Sequence, residues 1–209
     1  MWLTRITPDL SRRDVRDDLD DTVKMHRRVM TLVEDGLGDQ ARHEAGILYR
    51  IEADPPAVRL LAQTRDEPRL GRLPEGYGTC ETTDLRPLLD ALTSGARVEY
   101  RIAANATKRP AGRPGEKAGK LLTLSGSDAE EWWRQRAAAS GLDVDTLTAT
   151  RQESARSGDQ RRPIKHVITR FDGLGTVTDP DLLRTAVEEG IGRAKAYGCG
   201  LLSITVVTD

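Results

Sequence analysis

The sequence predicts an α+β fold in which one small unit is built twice, and three observations carry that expectation. Short runs alternating apolar and polar residues recur at Trp2–Ile6, Val98–Ile102 and Ile164–Phe171, the period-2 signature of half-buried strands. Between them lie stretches of helical periodicity opened by capping residues. The resulting order, strand–helix–strand–strand–helix–strand, reads clearly in the second half and partly in the first. That is the ferredoxin-like βαββαβ pattern in tandem, expected here over residues 1–92 and 97–209. Four antiparallel strands with both helices on one face leave the other face, or the groove between units, for a ligand. The fold alone chooses no function.

The elements follow in order. After the opening strand, the acidic and Arg-rich stretch Asp9–Asp21 is poor in apolar residues and reads as a loop. Asp20, Asp21 and Thr22 offer capping oxygens to a helix with Val23, His26, Met30 and Val33 on one stripe, stopped by Gly36 and Gly38. Strands at 46–52 and 57–63 flank the turn sequence Ala53-Asp54-Pro55-Pro56. Residues 65–78 read as loop, and Thr79–Leu92 supports neither strand nor helix. In the second cycle, Lys108–Lys120 is a Pro/Gly/Lys-rich loop, and Ser127 caps a helix with early acids that runs to Gly141. Val144–Thr150 is a short strand, and Arg151–Arg162 is polar and flexible. Ile164–Phe171 and Leu174–Val177 form a hairpin turning at Asp172-Gly173. Asp179 and Pro180 start the last helix, and Leu201–Val207 is the closing strand.

Composition narrows the function classes. The 209 residues are 37% hydrophobic but only 4% aromatic, so the core is aliphatic, and no run reaches the roughly 18 apolar residues of a membrane span. No export signal is visible at Met1–Arg5, and Cys80 and Cys199 form no disulfide framework, so a reduced cytoplasmic protein is expected. Three histidines, His26, His43 and His166, none paired with a cysteine, argue against a structural zinc site in this composition. Net charge is -1, yet residues 101–170 carry 14 basic and 8 acidic side chains. A basic middle segment suits a polyanion groove, and ordinary solvated surface suits it equally.

Four motifs carry a family resemblance. The run Gly190-Ile191-Gly192-Arg193-Ala194-Lys195-Ala196-Tyr197-Gly198-Cys199-Gly200-Leu201-Leu202-Ser203 closely resembles the glycine-rich signature of the CasE-type CRISPR RNA endoribonucleases of type I-E systems. So do Met25-His26-Arg27-Arg28-Val29-Met30, Tyr100-Arg101-Ile102-Ala103-Ala104-Asn105-Ala106 and Lys165-His166-Val167-Ile168-Thr169-Arg170-Phe171-Asp172-Gly173. The resemblance covers essentially the whole chain. It implies two ferredoxin-like domains, a CRISPR repeat stem-loop as substrate, metal-independent cleavage at the base of the stem without a cofactor, and retention of the product with other subunits in the Cascade complex.

Cleavage of that kind makes a ribose 2′-hydroxyl the nucleophile and needs a base, positive charge near the phosphate and an acid for the leaving oxygen. Imidazole exchanges protons near neutral pH, and His26 matches the family's catalytic histidine; on residues alone, a structural histidine fits too. Several relatives carry tyrosine one helical turn earlier, where this chain has Val23. Valine donates no hydrogen bond, and Lys24 lies about 100° round the helix. Lys165 matches a family lysine that steadies charge at the scissile phosphate. His166, adjacent to it, is read as structural or RNA-contacting.

Arg151, Arg156, Arg161 and Arg162 are candidates to contact the RNA stem, with Arg101 and Lys108 extending the phosphate track. Gly198 and Gly200 belong to a segment whose backbone approaches packed structure or the RNA closely. The glycine run lacks a Gly-Lys-Ser/Thr ending and follows no strand, which argues against a nucleotide loop. Trp132-Trp133 reads as packing, one core and one surface. Two rival functions stand beside the nuclease. One is a hairpin-binding subunit that cuts poorly, and the other is a general single-stranded RNA-binding module, which would need exposed aromatics.

Overall fold

In the computed structural model, which describes residues 1–38, 40–54, 57–110, 119–152, 154–158 and 164–207, two antiparallel sheets share one plan. The first contains β1 (Trp2–Pro8), β2 (Leu48–Asp54), β3 (Ala57–Thr64) and β4 (Gly78–Asp84) in the order β2-β3-β1-β4. Between β1 and β2 the chain forms α1 (Arg13–Asp20), α2 (Thr22–Met30) and the short α3 (Ala41–Glu44). α4 (Arg86–Asp90) leads to the second half. There β5 (Arg97–Ala104) is followed by a two-residue pair, β6 (Thr107–Lys108) with β7 (Leu122–Thr123), and by α5 (Ser127–Ala138). Next come β8 (Leu142–Val144), β9 (Thr148–Arg151), a ribbon of β10 (Ala155–Arg156) and β11 (Lys165–His166), then β12 (Thr169–Val177), α6 (Pro180–Glu189) and β13 (Leu202–Val206). The order β13-β5-β12-β8, with β9 also on β12, repeats the first sheet's arrangement, so the predicted ferredoxin-like plan is present twice.

Several sequence expectations are corrected. Residues 13–20 are not loop but helix α1, because Val15 is fully buried with Leu19 one turn on. Its charged residues are satisfied locally: Arg12 pairs with Asp14, and buried Asp18 accepts from Arg28 Nε at 2.6 Å. On α2 the buried stripe is Thr22, Met25 and Val29, about 100° round from the expected one, which leaves His26 half-buried at its edge. The helix ends at Met30, before Gly36. Gly126, with φ 56°, rather than Ser127, precedes the first turn of α5, and no side chain caps it. Both Trp132 and Trp133 are buried; Trp133 stacks on Phe171, with ring centroids 5.8 Å apart.

The largest correction concerns Asp172-Gly173, which is no turn. β12 runs unbroken, with Asp172 opposite Arg101 and Gly173 opposite Tyr100. Glycine is required for close approach instead: a Cβ at Gly173 would stand 1.9 Å from the Thr146 carbonyl oxygen, and one at Gly175 would be 2.6 Å from that of Asp143. The hairpin of this region is β10–β11. The expected single strand at 144–150 is likewise two short ones, β8 and β9, lying on β12 in succession.

β2 joins the two halves. Buried Arg50 donates to the Arg101 and Leu201 carbonyls at 3.1 and 3.0 Å and to Ser203 Oγ at 3.0 Å, with Glu52 as its counter-charge. Gln63 Nε2 donates to the Val187 carbonyl at 2.7 Å. These bonds bring α2 and β2 of the first half against the glycine-rich exit of the second.

Candidate active site

His26 sits on α2, whose start is fixed by Asp21. One carboxylate oxygen, Oδ1, accepts from the Val23 and Lys24 backbone N–H groups at 2.8 and 3.2 Å, an N-cap of the expected kind. The other, Oδ2, accepts from the Gly158 N–H at 2.8 Å, which ties the β10–β11 ribbon to the same helix end. Lys165 is exposed on that ribbon, opposite exposed Arg156. One carboxylate thus links the elements that carry His26 and Lys165.

The imidazole of His26 is half-buried, and its Nδ1 is buried without a hydrogen-bond partner among the described residues. Its protonation is held below the ordinary imidazole range by burial first, then by the cations Arg42 and Arg27. It is therefore neutral at neutral pH, the form in which imidazole accepts a proton. His166 is also held low, by burial and by Arg193. The ring of Tyr197 touches both: its centroid lies 6.4 Å from His26 in an edge contact and 5.3 Å from His166 in a stacked one.

The other candidates divide. Arg151 and Lys108 are exposed at strand ends, and Arg156 is exposed beside Lys165. Arg161 and Arg162 lie outside the described residues. Arg101 bonds Asp172 and contacts Glu52 at 3.3 Å, so its guanidinium belongs to the charged seam between the halves. Gly198 and Gly200 are buried against protein: a Cβ at Gly198 would meet the Tyr49 ring at 3.2 Å, and one at Gly200 the Ile191 carbonyl oxygen at 2.9 Å. Both have positive φ, 81° and 90°, which only glycine adopts freely. Cys199 is fully buried, and burial pushes its thiol up to about 12.

Sequence reasoning passed over Tyr197 and placed His166 outside the chemistry. The one available signal was a tyrosine in the middle of the glycine-rich run, in a chain with four tyrosines.

A tandem ferredoxin-like chain with a neutral imidazole beside a cationic ribbon, at the junction of its halves, has the form of an RNA-processing protein. The comparisons make this specific: the family model for CRISPR associated protein matches residues 1–205, and the chain belongs to that family. It is 29% identical to the CRISPR-associated endoribonuclease Cse3 of Thermus thermophilus, over 98% of this chain and 99% of that protein. The structure of Thermus thermophilus Cse3 bound to an RNA representing a pre-cleavage complex superposes with a TM-score of 0.81 at 27% identity, covering 98% of each chain. A chain of a CRISPR RNA-guided surveillance complex in a pre-nicking state is 39% identical, with a TM-score of 0.68, over 99% of this chain and all of that one.

Proposed function

We propose that this protein recognises CRISPR repeat stem-loops in precursor RNA, cuts them without metal to give guide RNA, and stays bound in the Cascade complex in the cytoplasm. The observation that carries the reading is the tie between His26 and the Lys165 ribbon through Asp21. His26, neutral and with Nδ1 turned inward, has Nε2 as the nitrogen that takes the 2′-hydroxyl proton. The ribose oxygen attacks phosphorus, the bond to the 5′-oxygen breaks, and that oxygen takes up a proton from water. Lys165, exposed on the ribbon, offsets the charge that gathers on the phosphate once RNA covers it. In this division of labour residues 1–92 supply the base, and residues 97–209 supply the cationic ribbon and the stem contacts of Arg151, Arg156, Arg161 and Arg162.

The endoribonuclease name of the Thermus relative and the RNA in its structure support the reading. Val23, which has no hydrogen-bonding side chain, favours one rival: a subunit that holds the hairpin and cuts it weakly. Incubating labelled repeat RNA with the protein in EDTA separates the two. Cleavage should leave a 2′,3′-cyclic phosphate and a 5′-hydroxyl, and a single 2′-deoxyribose at the scissile position should stop the cut but not the binding. Efficient cutting of the deoxy substrate would rule this mechanism out.

A further inference from the structure

A proton-transfer imidazole is ordinarily oriented by a hydrogen bond at its second nitrogen, and His26 has none: Nδ1 is buried and unpartnered among the described residues. What contacts the ring is Tyr197, in an edge arrangement with planes 64° apart. The same tyrosine ring is stacked on His166 at 22°. It therefore stands between the helix that carries His26 and the ribbon that carries Lys165.

Tyr197 is locked by its own turn. Its N–H donates to the Ala194 carbonyl at 2.8 Å, and Ala194 has φ 57°, the one non-glycine residue with positive φ among those described. Such a conformation costs a residue with a Cβ and persists where the surroundings over-determine it. They do so here. Buried Tyr49 donates its hydroxyl to the Ala196 carbonyl at 3.2 Å, and its ring packs closely on the turn, where a Cβ at Gly198 would meet it at 3.2 Å. Lys195 Nζ donates to the Glu189 carbonyl at 2.7 Å. A strained turn held from both sides presents one ring to two imidazoles.

We propose that Tyr197 is the positioning residue of His26: its ring, locked by the 194–198 turn and backed by His166, sets the imidazole orientation that a hydrogen bond at Nδ1 would otherwise set. The catalytic consequence rests on the nuclease reading above; the orientation does not. The charged groups that face His26 are Arg27 on its own helix and Arg42 from α3, and Arg193 faces His166. All are cations and remain when Tyr197 is changed. Loss of the ring then admits water to His26 and raises its titration toward the ordinary imidazole value.

The test uses the full chain, whose three histidines make the imidazole Cε1–H signals assignable by NMR. Tyr197→Phe should titrate His26 like the wild type. Tyr197→Leu, which keeps apolar bulk but no ring, should titrate it at higher pH and slow single-turnover cleavage of the repeat hairpin by roughly 10²-fold, the scale of a displaced reacting group, with hairpin affinity kept. Tyr49→Phe, which keeps the ring but removes the hydroxyl that bonds the Ala196 carbonyl and also reaches Thr22 on the His26 helix, should move the titration the same way by less. A His26 titration unshifted in both the Tyr197→Leu and the Tyr49→Phe proteins overturns the proposal. If the wild type cuts no repeat RNA while the titration shifts, the positioning stands and the nuclease reading falls.

Discussion

Asp21 holds the backbone N–H of Gly158 at 2.8 Å with one carboxylate oxygen while the other caps the His26 helix. Burial pushes this carboxyl up, but the N–H groups of Gly158, Val23 and Lys24, with the Lys24 charge, outweigh it and hold it below the ordinary range. The sign for stability follows from that direction. The unfolded chain, with an ordinary value of about 3.9, binds the proton more readily than the folded one. The contribution is therefore present above about pH 4 and is lost as pH falls through the lower folded value.

Replacing Asp21 with Ala should cost about 1 kcal/mol, the usual scale of a lost N-cap. It should also slow cleavage well below the melting temperature, because the Lys165 ribbon loses its tie to α2. Thermal melts of wild type and Asp21→Asn at pH 7 and pH 3 check the charged part: the gap should narrow at the lower pH. Equal melting of the two at pH 7 would show that the carboxylate contributes no more than a neutral amide.

His26→Ala should lower single-turnover cleavage by about 10²–10⁴, the range for a proton-transfer residue, with hairpin affinity nearly unchanged. The pH profile carries the same residue's signature. A base works unprotonated, so the rate should be flat near neutrality and fall as pH drops through a midpoint below about 6.5, the ordinary imidazole value. That midpoint is low through burial first and then through Arg42 and Arg27. Arg42→Gln removes one cation, makes the imidazolium less unfavourable and should move the acid limb to higher pH. A limb that moves to lower pH contradicts this electrostatic account.

What was legible in the sequence is what repeats locally. Alternation marked β1, β5 and the start of β12 because each buries alternate residues, as at Val98, Tyr100 and Ile102 or at Thr169 and Phe171. Asp21 and Asp179 were legible as caps for the same reason: an N-cap bond spans two or three residues. Gly173 was misread because a glycine that admits a neighbouring carbonyl and one that turns a chain are the same letter; only the Thr146 oxygen tells them apart. Arg101 looked like a free cation because its partners, Asp172 and Glu52, come from other strands. Tyr197 met His26 through tertiary packing that no local period reports.

The final prediction concerns the source of affinity. Arg156 and Lys165 stand opposite each other on the β10–β11 ribbon, both exposed, and among the described residues neither makes an ion pair. Two such cations on a ribbon tied to the His26 helix through Asp21 would contact RNA phosphates, and each phosphate contact adds up to roughly one unit to the slope of log affinity against log salt. Replacing both with Gln should weaken hairpin binding and flatten that slope by about one to two units. Arg13 on α1 and Arg97 at the far end of β5 are equally exposed and serve as the control pair, expected to leave the slope unchanged. Binding should be measured on the 2′-deoxy hairpin, so that cleavage does not deplete the substrate. Base-reading side chains would behave differently, losing discrimination between stems more than salt sensitivity. Equal loss in both pairs would mean that affinity follows overall charge, and the ribbon would then be ordinary solvated surface.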